Sequence, residues 1–142
     1  MLAISFSACN SEQEKTVKKE SINENTTDKT RFPNKRSELA ILMRSMQDEL
    51  MAKKSEIAKG DFPNYSLVEK FGSIKTATPT DSKDSGPVFQ AFAEKFLTDM
   101  KSFEEAPPEN KVEIFNAMVQ SCLDCHQEHC HGPMVAIRKL KL

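Results

Sequence analysis

The segment 121–126 combines residue types that can hold a metal-bearing group: two cysteines, Cys122 and Cys125, and a histidine, His126. Cysteines three residues apart lie near one side of a helix, so each thiol can add to a vinyl group of the same porphyrin. The histidine that follows directly can then bring an imidazole nitrogen to the iron. This Cys-x-x-Cys-His spacing is the attachment pattern of c-type haem. The sequence therefore predicts one covalent haem c.

Two other interpretations of these cysteines compete with haem. A zinc site could use Cys122, Cys125 and His126, with a fourth ligand from the group His129, Cys130 and His131. All of these candidates fall in one helical segment and its end, where four ligands cannot easily surround one ion. A redox Cys-x-x-Cys pair is expected beside a strand in a βαβ pattern, which this chain lacks. Both alternatives are therefore weaker than haem.

Hydrophobic periodicity indicates the elements that must position this motif. Apolar residues three or four apart predict one long amphipathic helix that ends before Gly60; they are Leu39, Leu42, Met43, Met46, Leu50 and Ile57. A shorter helix is predicted from Ser66 to Thr76, and an exposed loop over residues 78–86.

A third helix is predicted from Pro87, which suits a first helical turn. Its apolar stripe is Phe89, Phe92, Phe96, Met100 and Phe103, which forms either plain core or a wall for a flat prosthetic group. A fourth helix begins near Glu109 and ends at Gly132; its buried side is predicted to hold Val112, Phe115, Met118, Val119 and Cys122. A final turn or two can follow. Four helical units with short connections predict an all-α, antiparallel four-helix bundle over residues 35–142, with the haem near its C-terminal end.

With the motif on the last helix of a small bundle, the chain resembles the cytochrome c prime family and its low-spin relatives. The resemblance covers residues 35–140 and is architectural outside the motif. It implies that the second axial position of the iron faces the first helix, where low-spin members supply a methionine. Met43 is the preferred ligand and Met46 the runner-up. If both methionines only pack, the iron is five-coordinate, as in the high-spin members.

The closing run, residues 125–133, departs from the family pattern, in which a basic residue commonly follows the histidine closely. Met118 precedes His126 by two helical turns on the same helix and cannot cross to the opposite haem face, so it is predicted to be core. The His129 side chain is expected to project from the same side of the helix as that of His126. Both His129 and His131 are expected at the helix end. Cys130 is a leftover thiol without an assigned role.

The N-terminal residues 1–9 are a short apolar run that ends in small residues before Cys9, and they resemble the tail of a bacterial lipoprotein signal. The resemblance implies a lipid anchor at Cys9 and a periplasmic or cell-surface location. No basic region precedes the apolar run, and the alternative is a frayed terminus. Residues 10–34 are polar and are predicted to be a disordered tether.

Composition limits the function further. The 20 basic and 21 acidic residues exclude a polybasic nucleic-acid binder, and no apolar run is long enough for a membrane-spanning helix. No paired carboxylates or activated serine indicate an enzyme. We expect an exported monohaem c-type cytochrome that transfers electrons through a His/Met-ligated haem to a redox partner that the sequence does not identify. The alternatives are a five-coordinate gas-binding protein and a non-haem metal-binding lipoprotein; the sequence leaves open whether the chain forms a homodimer.

Overall fold

The computed structural model describes residues 36–142, and this part of the chain is all-helical, without a strand. The predicted all-α class is confirmed. The expected signal, the tether and Cys9 lie outside the described residues. Five α-helices lie within residues 36–142: α1 Glu38–Ala58, α2 Leu67–Phe71, α3 Pro87–Glu105, α4 Lys111–His129 and α5 Met134–Arg138. None of these helices is long and apolar enough to cross a membrane.

Local chemistry explains where the long helices begin and end. The Ser37 hydroxyl accepts a hydrogen bond from the Ala40 amide at 3.2 Å and so caps the first turn of α1. Beyond its end, Gly60 has a φ of +74°, a backbone conformation that residues with a side chain rarely adopt. Pro87 is the first residue of α3, as predicted. Thus α1 and α3 lie close to their predicted bounds.

The second predicted helix is shorter than the sequence suggests. Only Leu67–Phe71 is α-helical, and the chain continues as a 3-10 turn over Gly72–Lys75. Glycine lowers helix propensity, and the change of geometry falls at Gly72. The described chain therefore has three long helices and two helices of five residues, and the four-helix bundle stays a prediction.

The core is built from the apolar faces of the long helices. Buried residues of α3 include Phe96, Met100 and Phe103, and Phe103 packs against Tyr65 and Phe115 with ring-centroid distances of 5.0 and 5.4 Å. The phenylalanine stripe of α3 is thus largely core. Close backbone packing is extensive between α3 and α4 and between α4 and α5, whereas α1 makes at most isolated backbone approaches to the other helices.

One predicted core position in α4 is wrong. Val112 is 44% exposed, whereas its neighbour Lys111 is only 5% exposed. The ammonium of Lys111 donates to the carbonyl oxygens of Phe103 and Glu104 at 2.6 and 3.0 Å, at the end of α3. Since the lysine adds a donor to carbonyls in the last turn of α3, its stem lies in the buried position, whereas Val112 faces outward.

Candidate functional site

A cavity of about 550 Å³ lies between α1 and the C-terminal half of α4. Its lining is mostly apolar and brings together residues from α1, the loop before α3, the start of α3, the end of α4 and α5. Lining residues include Met43, Met46, Thr80, Asp84, Phe89, Cys122, Cys125, His126, His129, Cys130 and Ile137. The cavity explains why α1 makes few close backbone approaches: a space of ligand size separates it from α4.

All three residues of the predicted attachment motif line this cavity. Cys122 and Cys125 are free thiols and are partly buried. The Cys122 thiol donates to the Met118 carbonyl at 3.5 Å. Burial raises the pKa of Cys122 from 9.0 to about 12 and that of Cys125 to about 11, with a smaller contribution from the nearby Asp84 carboxylate at Cys125. Both thiols are therefore protonated at neutral pH, unlike the reactive thiolate of a redox pair.

Within residues 36–142, the Nδ1 nitrogen of the His126 ring has a hydrogen-bond partner and the Nε2 nitrogen has none. Its Nδ1 lies 3.0 Å from the carbonyl oxygen of Cys130. A carbonyl only accepts hydrogen bonds, so Nδ1 carries the proton and Nε2 keeps its lone pair. Burial lowers the pKa of His126, which also favours the neutral ring. This is the state in which a histidine binds a metal through Nε2.

Both candidate axial methionines belong to the α1 side of the cavity. Met46 is 4% exposed, and Met43 is partly buried against the same core. Each lines the cavity that also contains His126. Met118 is fully buried among the core residues and is absent from the lining, in agreement with its predicted packing role. The motif and the two methionines are therefore brought together, on different helices.

His129 is more constrained than the sequence indicated. It ends α4, as expected, but its Nδ1 lies 3.0 Å from Asp84 Oδ1, and its ring meets Phe89 and Phe92 edge-on at 5.8 and 6.1 Å. Its Nε2 is buried and has no hydrogen-bond partner among residues 36–142. Sequence analysis missed Asp84, because only the tertiary fold brings its loop to the end of α4.

Cys130 and His131 follow α4 directly. Cys130 is exposed, has a free thiol and caps α4 with extended backbone angles, and its carbonyl is the acceptor for His126. His131 is exposed. Within the described part of the chain, no three or more His, Cys, Asp or Glu side chains are grouped so that they could hold a metal ion.

A polar cluster fixes α4 to α3 beside the motif. Ser121 is 2% exposed, and its hydroxyl hydrogen-bonds to the Asp99 carboxylate and to the Lys95 ammonium. Lys95 and Asp99 form an ion pair at 2.6 Å on α3. The spacing of this pair is visible in the sequence, but periodicity alone does not reveal that it faces Ser121. The cluster positions the residue that directly precedes Cys122.

The C-terminal segment closes another side of the cavity. The ammonium of Lys54 donates to the carbonyl oxygens of Lys139 and Lys141 at 2.8 and 2.6 Å, so α1 caps the end of the chain that follows α5. The Asn116 side chain pairs with both the backbone amide and carbonyl of Leu142, at 2.9 and 3.2 Å. These bonds hold α5 between α1 and α4. Its contribution to the cavity was not foreseen from the sequence.

Comparison with protein-family models, with curated proteins and with solved structures finds no match for this chain.

Proposed function

We propose that the chain is a monohaem c-type cytochrome that transfers electrons. The observation that carries this proposal is the cavity between α1 and α4: the Cys-x-x-Cys-His residues line it from α4, and two methionines line it from α1. The short α2 and the 3-10 turn after it would occupy the second position of a four-helix arrangement.

The residues of the cavity fit such a group. Its volume of about 550 Å³ lies within the usual range for ligand sites, and its apolar lining suits a porphyrin ring. Cys122 and Cys125 would supply the two thioether sulfurs. His126 keeps an Nε2 lone pair for iron. The buried Nε2 of His129 has no hydrogen-bond partner among residues 36–142, and a group bound in the cavity could supply one. Because two thiols line the cavity, we infer covalently attached haem c rather than a non-covalently bound cofactor.

Each side chain has a distinct role in this proposal. Haem supplies a one-electron couple at its iron. His126 and Met43, with Met46 as the alternative, would hold the iron, and a thioether ligand favours a higher potential than a second imidazole. The apolar walls exclude water from the ring. Two strong ligands leave coordination almost unchanged on reduction, which favours rapid electron transfer.

Two other functions predict a different visible spectrum or a different metal from those of an electron-transfer cytochrome. If Met43 and Met46 only pack, the iron has an open position and the chain is a gas-binding protein. A non-haem metal-binding lipoprotein would instead contain zinc and no iron. Neither is preferred, because both methionines line the same cavity as the motif, from a different helix.

The proposal also requires export. Thioether attachment in the resembling family takes place outside the cytoplasm, so we infer a periplasmic or cell-surface location, with a redox partner and a lipid anchor at Cys9. The near balance of 20 basic and 21 acidic residues does not favour a partner of either charge.

The test is the visible spectrum of the exported, purified chain in both oxidation states, with and without carbon monoxide. We expect a haem c spectrum with low-spin ferric bands and slow or absent binding of carbon monoxide by the reduced protein. Immediate binding together with a high-spin ferric spectrum would support the gas-binding alternative. A colourless protein that contains zinc would overturn the cytochrome proposal.

A further inference from the structure

We propose that the Asp84–His129 contact is a positioning device for His126: it holds the end of α4 so that the Cys130 carbonyl stays on His126 Nδ1. Asp84 and His129 are therefore positioning residues, and neither needs to touch the iron. The consequence for electron transfer rests on the proposed function, whereas the consequence for the tautomer of His126 does not.

The carbonyl of Cys130, which accepts the hydrogen bond from His126, lies at the C-terminal end of α4, where a helix frays readily. Cys130 is the exposed residue at which α4 ends, and its φ and ψ of −150° and 96° are not helical. Its amide still donates the last helical hydrogen bond of α4, to the His126 carbonyl oxygen at 3.0 Å, and the extended backbone of Cys130 then turns its own carbonyl out of the helical direction. Helix ends fray more readily than helix interiors, because their last carbonyls lack partners within the helix. Without another restraint, the carbonyl that sets the His126 tautomer would move with this end.

That restraint comes from the neighbouring residue. His129 is the last residue of α4, and three groups from outside α4 hold its ring: the Asp84 carboxylate at 3.0 Å and the edge-on contacts with Phe89 and Phe92. The Asp84 carboxylate accepts a hydrogen bond from the Nδ1–H group of His129, and this bond also fixes the orientation of the ring. Since residue 129 precedes the carbonyl of residue 130, holding its side chain restrains that carbonyl.

The loop that carries Asp84 is itself fastened at a second point. The Ser37 and Thr80 hydroxyls lie 2.9 Å apart, and the Leu39 amide donates to the Thr78 carbonyl at 3.0 Å. The loop thus spans from the start of α1 to the end of α4, along the cavity that both helices line. Asp84 can therefore act as a fixed anchor for His129.

The device has a predictable effect on the iron. A histidine that donates its second ring N–H to an oxygen acceptor is a more basic ligand than one without that hydrogen bond. Loss of the Asp84–His129 contact should weaken the bond from Nδ1 to Cys130. The ligand would then donate less charge to the iron, and the reduction potential would rise.

The experiment measures the tautomer of His126 by ¹⁵N NMR of the full chain at mildly alkaline pH, before haem attachment. The disrupting variants are Asp84→Ala and His129→Phe; the phenylalanine ring keeps the packing against Phe89 and Phe92. Asp84→Asn is the rescue variant, because its amide oxygen still accepts from His129. His131→Ala is the matched control, since it removes an exposed histidine near the same helix end.

We expect the Nδ1–H form of His126 in the wild type, the rescue variant and the control, and a mixture of tautomers in the two disrupting variants. Unchanged tautomers in folded Asp84→Ala and His129→Phe chains would overturn the proposal. In the haem-loaded proteins, the same two variants should have raised reduction potentials, while His131→Ala should not. If the wild type acquires no haem, the proposed function fails, but the NMR result still decides the positioning proposal.

Discussion

The ammonium of Lys111, the first residue of α4, lies 2.6 Å from the carbonyl oxygen of Phe103 near the end of α3. It also lies 4.9 Å from the centre of the Phe103 ring and 5.3 Å from that of Tyr65. One buried cation thus joins the end of one long helix to the start of the helix that carries the motif. Its loss should therefore loosen the α3–α4 pair.

Lys111→Met keeps most of the stem and removes the donor. It leaves the Phe103 and Glu104 carbonyls without this partner, and we expect the free energy of unfolding to fall by about 1–3 kcal/mol. Urea denaturation followed by circular dichroism measures the change. Lys101→Met is the matched control on α3, because Lys101 is exposed and its ion pair with Glu105, at 3.8 Å, is a long one on the surface. Equal stability of the two variants would contradict the role of Lys111.

The axial-ligand proposal predicts different outcomes for two methionines. In the haem-loaded protein, Met43→Leu should convert the low-spin ferric spectrum to a high-spin one and allow rapid binding of carbon monoxide by the reduced form. Leucine fills a similar volume, so packing is nearly preserved. Met46→Leu should leave the spectrum low-spin.

Met118→Leu is the control for this pair, because Met118 is fully buried on α4 and does not line the cavity. Its spectrum should match that of the wild type. If Met46→Leu rather than Met43→Leu produces the high-spin form, the ligand is Met46. Low-spin spectra in both variants would argue against either methionine as the ligand.

The raised pKa of Cys122 predicts a pH dependence in the chain without haem. The folded thiol keeps its proton to about pH 12, whereas the unfolded thiol loses it near pH 9.0. Above that pH the unfolded state binds fewer protons than the folded state, so the free energy of unfolding should fall as pH rises. Urea midpoints between neutral pH and pH 10 measure this loss.

Two variants isolate the contribution of that thiol. Cys122→Ala should lose less stability over the same pH range, because it has no proton to release. Cys130→Ala controls for the loss of a cysteine outside the motif, because the Cys130 thiol is exposed. The haem-loaded protein should also lose less, as a thioether sulfur does not titrate. A loss of the same size in Cys122→Ala and wild type would show that other groups cause it.

The sequence predicted much of the helical structure, because apolar spacing along one element indicates a helix. The Cys-x-x-Cys-His motif is likewise visible in the sequence, since its residues lie within one helix. The prediction failed at Val112 and Lys111, where the lysine adds a donor to carbonyls of another helix and its stem lies in the buried position, whereas the valine faces outward. Asp84 was missed for the same reason: its contact with His129 joins residues 45 positions apart. Cavities and such contacts depend on how helices pack, which periodicity does not determine.

Covalent attachment of haem in the cavity between α1 and α4 can be measured by peptide mass spectrometry of the exported protein after denaturation, reduction and alkylation. We predict that the peptide with Cys122, Cys125 and His126 carries the mass of one haem and that neither the Cys122 sulfur nor the Cys125 sulfur is alkylated. Cys130 serves as the internal control and should be alkylated as a free thiol. Recovery of this peptide with both Cys122 and Cys125 alkylated and no added haem mass would contradict the account.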